Sequence, residues 1–513
     1  MPTKLAGYAA CFAGFVAGAA QAQQEPLSVI DWLKRNPDQP AMTSTVLPDG
    51  FEPPVTPNAT VPAVSVQPLA EQNRRIIGIV PSKVTGLPDS LWRGSDTADV
   101  ARQLDALPNL RLPTAQALLY TLLLTEAIAP GNDRESESEL TLARVRTLER
   151  LGAHDAATAL LEQADVTRDK AVFAAYMDVA LLTGEEDRAC AIIAAQPHLA
   201  PSLAHRTFCT ARSGDWPTAA LLFDTGVKLG GFDNEEAAAL ERFLHAEVFE
   251  DAPPLPRPKV MTPLLFRLYE AIGEPFPTGT LPRAYATADL RDLAGWKQQL
   301  EAAERLALTG ALSSNRLLGL YTARQPAASG GVWDRVTAIQ QFETALRSRS
   351  SAAISEALPR VWTAMEAVGL EMLFVDLFAE PLRRYSLDGP AREIALTMGL
   401  LSDAYARVAR APDVPASVAA VAGAPVEPPA SLDLRTSALL GGFDESNARF
   451  DLLAMSRSGR TGEALLRTIS LLEDGAAGDP VALTQALATL QALGFEDAAR
   501  RAALQIMLLG RFA

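Results

Sequence analysis

The sequence predicts an all-α protein: an α-solenoid of antiparallel helical hairpins, preceded by a signal peptide and a Pro-rich extended or disordered lead. Three observations predict it. Apolar residues recur at helical spacing through long stretches. A Gly-x4-Ala pattern returns at helix-to-helix boundaries. Proline is concentrated in separate segments, where helices cannot propagate.

In chain order, residues 1–22 (MPTKLAGYAACFAGFVAGAAQA) have the anatomy of an export signal. Lys4 is followed by an uncharged, mostly apolar stretch, and Ala20-Gln21-Ala22 fits a small-x-small cleavage site. The stretch is short and rich in Ala and Gly for a membrane anchor, since a spanning helix needs about 20 apolar residues. The expected location is therefore periplasmic or secreted, with no transmembrane segment after cleavage.

Residues 23–94 read as the lead, with nine prolines between Gln23 and Ala70. Arg75 to Val84 has the composition of one short strand. Helices begin near Ser95, where Asp96 and Thr97 can cap ADVARQLDAL, and Pro113 suits the first turn of the next helix. The expected organisation is a helical-repeat block over 95–250, a Pro-rich connection over 251–285 and a central helical block over 286–410. A Pro/Ala linker over 411–430 and a C-terminal repeat block over 431–513 complete it.

The recurrent segments are Gly152 to Ala157, Gly184 to Ala189, Gly214 to Ala219, Gly459 to Ala464 and Gly494 to Ala499. The first three glycines are 32 and 30 residues apart and the last two 35 apart. Each Gly can end one helix in the left-handed conformation without a steric penalty. Each Ala must be small because the two helices of a hairpin approach closely there. The aliphatic residues that follow face the hairpin partner and the next hairpin, because one hairpin cannot bury its own apolar face.

This pattern resembles the tetratricopeptide family over about 160 residues, Glu135 to Lys228 and Asn447 to Gly510. Leu161 and Phe223 fall where the family has a large apolar residue, and Ala164 and Gly226 where it has a small one. The Trp, the Leu-Gly pair and the Tyr of the family's first helix are missing, and the period wavers. The resemblance implies an α-solenoid with a protein-binding concave surface and names no ligand. An irregular helical bundle with coincidental matches is the competing reading.

Charge and composition narrow the function. The net charge of −15, from 46 Lys and Arg against 61 Asp and Glu, opposes nucleic-acid binding, which needs clustered positive charge. Four His and three Cys leave little for a multi-zinc or disulfide-dense scaffold. The mature chain would keep Cys190 and Cys209. Export favours their pairing, against free buried thiols or a metal site shared with His205 and His198. In the repeat reading the two cysteines lie on adjacent helices of successive hairpins.

No phosphate-loop, dinucleotide, zincin or nucleophile-elbow motif is present in the sequence. No catalytic residue, cofactor site or metal site is therefore assigned. Carboxylate pairs such as Glu185-Glu186 and Glu301/Glu304 read as solvated helix faces, and His154 as a surface or capping residue at a turn. One loop, Leu317 to Val336, carries a candidate binding set in Tyr321, Trp333 and Asp334 around Gly330-Gly331, although a plain helix connection with Gly331 permitting the turn and Trp333 buried as a staple is the favoured reading.

The expected function is a non-enzymatic, exported scaffold or adaptor that binds another envelope protein or peptide. The alternatives are a murein-processing enzyme with a superhelical domain and a periplasmic chaperone or assembly factor. Glu445-Ser446 is the one late Glu-Ser pair of the kind such enzymes use, and it lacks the companion motif.

Overall fold

The structure, a computed structural model, describes residues 76–130, 138–291 and 293–512. The signal peptide and the lead up to residue 75 lie outside the described residues. The described chain is all-α apart from a two-residue antiparallel pairing of β1 (Ile76–Ile77) with β2 (Ala127–Ile128). Between the strands come α1 (Ser82–Thr85), α2 (Thr97–Asp105) and α3 (Pro113–Leu124). Asp96 caps α2 by accepting from the Asp99 amide, and Pro113 opens α3.

The first hairpin pairs α4 (Glu139–Leu151) with α5 (His154–Gln163). The second pairs α6 (Lys170–Thr183) with α7 (Glu186–Ala195), and the third α8 (Leu203–Arg212) with α9 (Trp216–Leu229). Gly152, Gly184 and Gly214 sit at the three turns with φ of 83°, 87° and 90°, a region where any Cβ is strained. Ala157, Ala189 and Ala219 are completely buried, as close helix approach requires. Side chains start the next helices: Asp169 accepts from the amides of Ala171 and Val172, and Ser202 from that of His205. A disulfide between Cys190 and Cys209, with Cα atoms 4.9 Å apart, joins α7 to α8.

Next come α10 (Asn234–Leu244), α11 (Pro263–Ala271), a 3-10 segment (Arg283–Leu290), α12 (Trp296–Ala307) and α13 (Ser314–Thr322). The central helices are α14 (Val332–Ser348), α15 (Ser351–Glu366), α16 (Glu371–Leu382), α17 (Pro390–Leu401) and α18 (Tyr405–Val408). The chain ends with α19 (Ala416–Val421), α20 (Leu434–Gly441), α21 (Phe450–Arg457), α22 (Thr461–Ala476), α23 (Pro480–Ala492) and α24 (Glu496–Leu508). Gly459 and Gly494 form the late turns with φ of 81° and 91°, and Ala464 and Ala499 are fully buried.

Three stretches that the sequence sets apart contribute to the core. Leu87, Leu91 and Trp92, at the end of the lead, are buried. The 251–285 connection contains α11, whose Leu264, Leu265 and Leu268 are buried. The 411–430 linker contains α19, whose Val418, Ala419 and Val421 are buried against α24. Proline permits this by position: Pro263 opens α11, Pro282 precedes the 3-10 segment and Pro415 precedes α19. Residues of all three helical blocks share one hydrophobic cluster.

The first and last blocks also touch. The Gly462 amide donates to Leu91 O at 3.0 Å and the Gly94 amide to Gly459 O at 2.9 Å. Glu473 Oε1 accepts from the amides of Arg111 (2.9 Å) and Leu112 (2.7 Å). Gln505 Oε1 accepts from both the amide and the hydroxyl of Thr114 at 2.9 Å. Buried acceptors on α22 and α24 thus satisfy the open N-terminal amides of α3 and the residues before it.

Candidate functional site

The loop predicted as a binding site has its aromatic residues turned largely inward. Tyr321, at the end of α13, is 2 % exposed and donates to Glu304 Oε1 on α12 at 2.7 Å. Arg335, on α14, grips the same carboxylate in a fork, Nε to Oε1 at 2.7 Å and Nη2 to Oε2 at 2.6 Å. Burial, and then the Glu304 carboxylate, push the Tyr321 hydroxyl well above its ordinary range, so it stays a neutral donor. Trp333 is half-buried, its ring centroid 5.1 Å from that of Trp296. Asp334 is exposed, and its Oδ1 accepts from the Gly330 amide at 2.8 Å, closing the turn. The three residues therefore fasten α12, α13 and α14 together; Asp334 is the one fully at the surface. Glu304, read from sequence as solvated, is the buried centre of this group.

A second cluster lies where the turns of the first two hairpins meet the segment 261–291. At Gly152 a Cβ would stand 2.3 Å from Leu306 Cδ2 and 3.5 Å from Arg283 Cγ; at Gly184 it would stand 2.9 Å from Arg291 Cδ. At Gly214, the equivalent turn of the third hairpin, nothing lies within 4 Å. Glu186, also read as solvated, is 1 % exposed and pairs with Arg267 of α11 and with Arg212 at 3.3 Å. Glu270 links Arg267 to Arg291, the latter at 2.6 Å. A small apolar patch of Leu182, Phe266, Leu281, Tyr285 and Ala288 backs these contacts. The segment thus covers the turn edge of two hairpins and leaves that of the third open.

Titratable groups line this joint. His154 does sit at the turn but is buried, its Nδ1 3.1 Å from Gly152 O and 2.9 Å from Thr287 Oγ1. Burial lowers it to about 4, so it is neutral at pH 7. Burial raises the Glu149 carboxyl to about 8, with Asp178 adding to the rise and Arg146 opposing it. Burial raises Asp178 to about 6. None of these side chains is distinguished by motif spacing: Thr287, which faces His154, lies 133 residues further on, and burial by packing, which shifts all three, has no motif.

The cysteine question resolves by geometry. With both sulfurs in the disulfide, neither is a metal ligand, and His205 Nδ1 instead faces Ser202 Oγ at 2.9 Å.

The third hairpin carries the most open apolar surface. Helix α9 buries Ala219, Phe223 and Gly226, while Trp216, Leu221, Val227 and Leu229 are exposed, Leu229 to 79 %. Val248 and Val260, in the following segment, are 75 % and 70 % exposed. Trp216 is steadied by Phe243 of α10, ring centroids 5.5 Å apart. Sequence periodicity missed this face, since apolar residues on a repeat helix are expected to be covered by the next hairpin.

No protein-family model, curated protein or solved structure matches this chain. Among the described residues, no helix is long and apolar enough to cross a membrane.

Proposed function

We propose that this protein is an exported, non-enzymatic scaffold or adaptor: a tetratricopeptide-like α-solenoid that binds another envelope protein or peptide in the periplasm or outside the cell. The observation that carries the reading is the exposure of Leu221 and Leu229 on the outer side of α9, with Trp216 and Val227 also exposed along another side of the helix. Exposed apolar side chains mark interaction surfaces where they join into one patch. Helix α10 packs on one side of α9, with Phe243 against Trp216, and leaves Leu221 and Leu229 exposed. The turn edge of the third hairpin, open at Gly214, lies at the start of the same helix. The signal-like N-terminus and the acidic charge fit an exported binding protein.

The test is in-cell crosslinking of the tagged full chain followed by mass spectrometry, on the parent and on Leu221→Asp and Leu229→Asp variants. One stoichiometric envelope partner, lost in both variants while their thermal unfolding is unchanged, is the expected result. Retention of all partners by both variants would overturn the assignment of this face. Recovery of the chain from the cytoplasm with an uncleaved N-terminus would overturn the export reading.

A further inference from the structure

In each of the first three hairpins the second helix begins two residues after the turn glycine: at His154 after Gly152, at Glu186 after Gly184 and at Trp216 after Gly214. The segment 261–291 covers the first two of these places in the same way. An arginine stem lies across each glycine, Arg283 Cγ 3.5 Å from a Cβ built at Gly152 and Arg291 Cδ 2.9 Å from one built at Gly184. The residue that opens the second helix is sealed by the same segment. His154 Nδ1 faces Thr287 Oγ1 at 2.9 Å, Glu186 pairs with Arg267, and each is 1 % exposed. At the third place the covering stops. Among the described residues nothing lies within 4 Å of a Cβ at Gly214, and Trp216 is 46 % exposed.

The two filled places and the residues of the third indicate what fits there. In both filled places the side chain that crosses the glycine is arginine. At the third the residue opening the helix is an indole, the ring face on which a planar guanidinium stacks best. Phe243 packs against that indole, ring centroids 5.5 Å apart, and so helps to hold it in place. The charge of the region favours a cation. From Gly214 to Asp251 there are nine Asp and Glu against Lys228 and Arg242, a net −7 in a chain of −15. Arg242 is already paired with Glu274 at 2.7 Å. Arg212, two residues before Gly214, is likewise taken by Asp187 at 2.6 Å and Glu186 at 3.3 Å. Asp215, between Gly214 and Trp216, uses Oδ1 to accept the Thr218 amide at 3.2 Å and stays exposed. An anionic partner would meet this excess of carboxylates. A lysine would bring the charge without the flat surface that covers an indole.

We propose that the third turn, Gly214 to Trp216, is a docking seat for an arginine of a partner protein, whose stem crosses Gly214 and whose guanidinium stacks on Trp216. This rests on the protein-binding reading above and names what the partner brings to the start of α9.

The probe is a tetra-arginine peptide, with tetralysine as the control of equal charge, titrated into the full chain by calorimetry at about 0.15 M salt. Tetra-arginine is expected to bind more tightly than tetralysine. Trp216→Ala should weaken tetra-arginine about two- to fivefold, the scale of one exposed cation–π contact, and leave tetralysine unchanged. Trp216→Phe keeps a ring against Phe243 and should fall between parent and Trp216→Ala. Equal binding of the two peptides to the parent overturns the proposal, as does tetra-arginine binding that neither variant weakens. In the cell, a photo-crosslinking p-benzoylphenylalanine placed at position 216 should capture a partner peptide that contains arginine. Capture of a peptide without arginine, of a second copy or of this chain's own residues would overturn the assigned occupant. Partner capture lost in Leu221→Asp and Leu229→Asp but unchanged in Trp216→Ala would overturn this seat alone and leave the scaffold reading standing. Capture of no partner by the parent would overturn the scaffold reading and this seat with it.

Discussion

The indole of Trp92 lies against Gly462 so closely that a Cβ at 462 would stand 2.1 Å from Cζ3 of the ring. Trp92 is 1 % exposed, and the Leu91 carbonyl beside it accepts the Gly462 amide. The pair locks the start of the described fold to α22. In Gly462→Ala either the indole or the helix must shift, at a cost of about 1–3 kcal/mol. The better helix propensity of Ala returns only about 0.5–1 kcal/mol of this. The expected outcome is a lower urea midpoint and an altered Trp emission. Gly319→Ala in α13, where nothing lies within 4 Å, should raise the midpoint instead.

The disulfide between Cys190 and Cys209 spans 19 residues and ties the second hairpin to the third. A closed loop of this size stabilises by roughly 3 kcal/mol in the chain-entropy model. Replacing both cysteines by Ala should lower unfolding free energy by about that amount, measured by urea denaturation. Amide exchange should rise first in α7, α8 and α9. An unchanged midpoint on adding reductant to the parent would argue that the bond contributes nothing there.

Some of this architecture was legible and some was not, for physical reasons. The Gly-x4-Ala segments could be read because the turn and the close approach are local demands: Gly152 and Ala157 answer to each other within one hairpin. The cysteine pair followed from export together with their places on neighbouring helices. The contact of Trp92 with Gly462 left no trace, because a long-range contact imposes no period. Pro count made 251–285 look like a bare connection, yet a proline at the first helical position costs nothing, and α11 starts on Pro263. Glu186 and Glu304 looked solvated because Arg267 and Arg335, which compensate their burial, lie 81 and 31 residues further on. The break between helices around Gly330-Gly331 was legible from its glycines, whereas the bond from Tyr321 to Glu304 on α12 was not.

Glu304 is the shared acceptor of Tyr321 and Arg335. Removing it leaves a guanidinium with 15 % side-chain exposure and a buried hydroxyl without their common partner. Breaking one side of a buried pair costs about 3–5 kcal/mol, so Glu304→Ala should be severely destabilising. Tyr321→Phe removes only one hydrogen bond to a charged group and should cost about 1.5–3 kcal/mol. Thermal and urea unfolding of the two variants would check the order. Equal stability of Glu304→Ala and the parent would show that the network does not hold α12 to α14.

Stability should depend on pH through groups at the joint between the first hairpins and segment 261–291. Glu149 is raised from 4.5 to about 8 by burial, then by Asp178, and Asp178 is raised from 3.8 to about 6 by burial. Between each unfolded and folded value the folded chain holds a proton that the unfolded chain has released, so stability falls as pH rises through that window. His154 acts in the opposite sense. Burial lowers it from 6.5 to about 4, so its unfolded form takes up a proton first, and stability is lost as pH falls from 6.5 toward 4. His205, also lowered by burial to about 4, adds to this acid loss. The two trends oppose each other below pH 6.5. Above it Glu149 dominates these four groups, and stability should decline from pH 6.5 to about 8. Glu149→Gln cannot ionise and should flatten that decline; below pH 6.5 it also removes one of the opposing contributions, so the acid loss from His154 and His205 should steepen. Urea midpoints of parent and variant across pH 5–9 would check it; parallel curves above pH 6.5 would remove Glu149 as the cause.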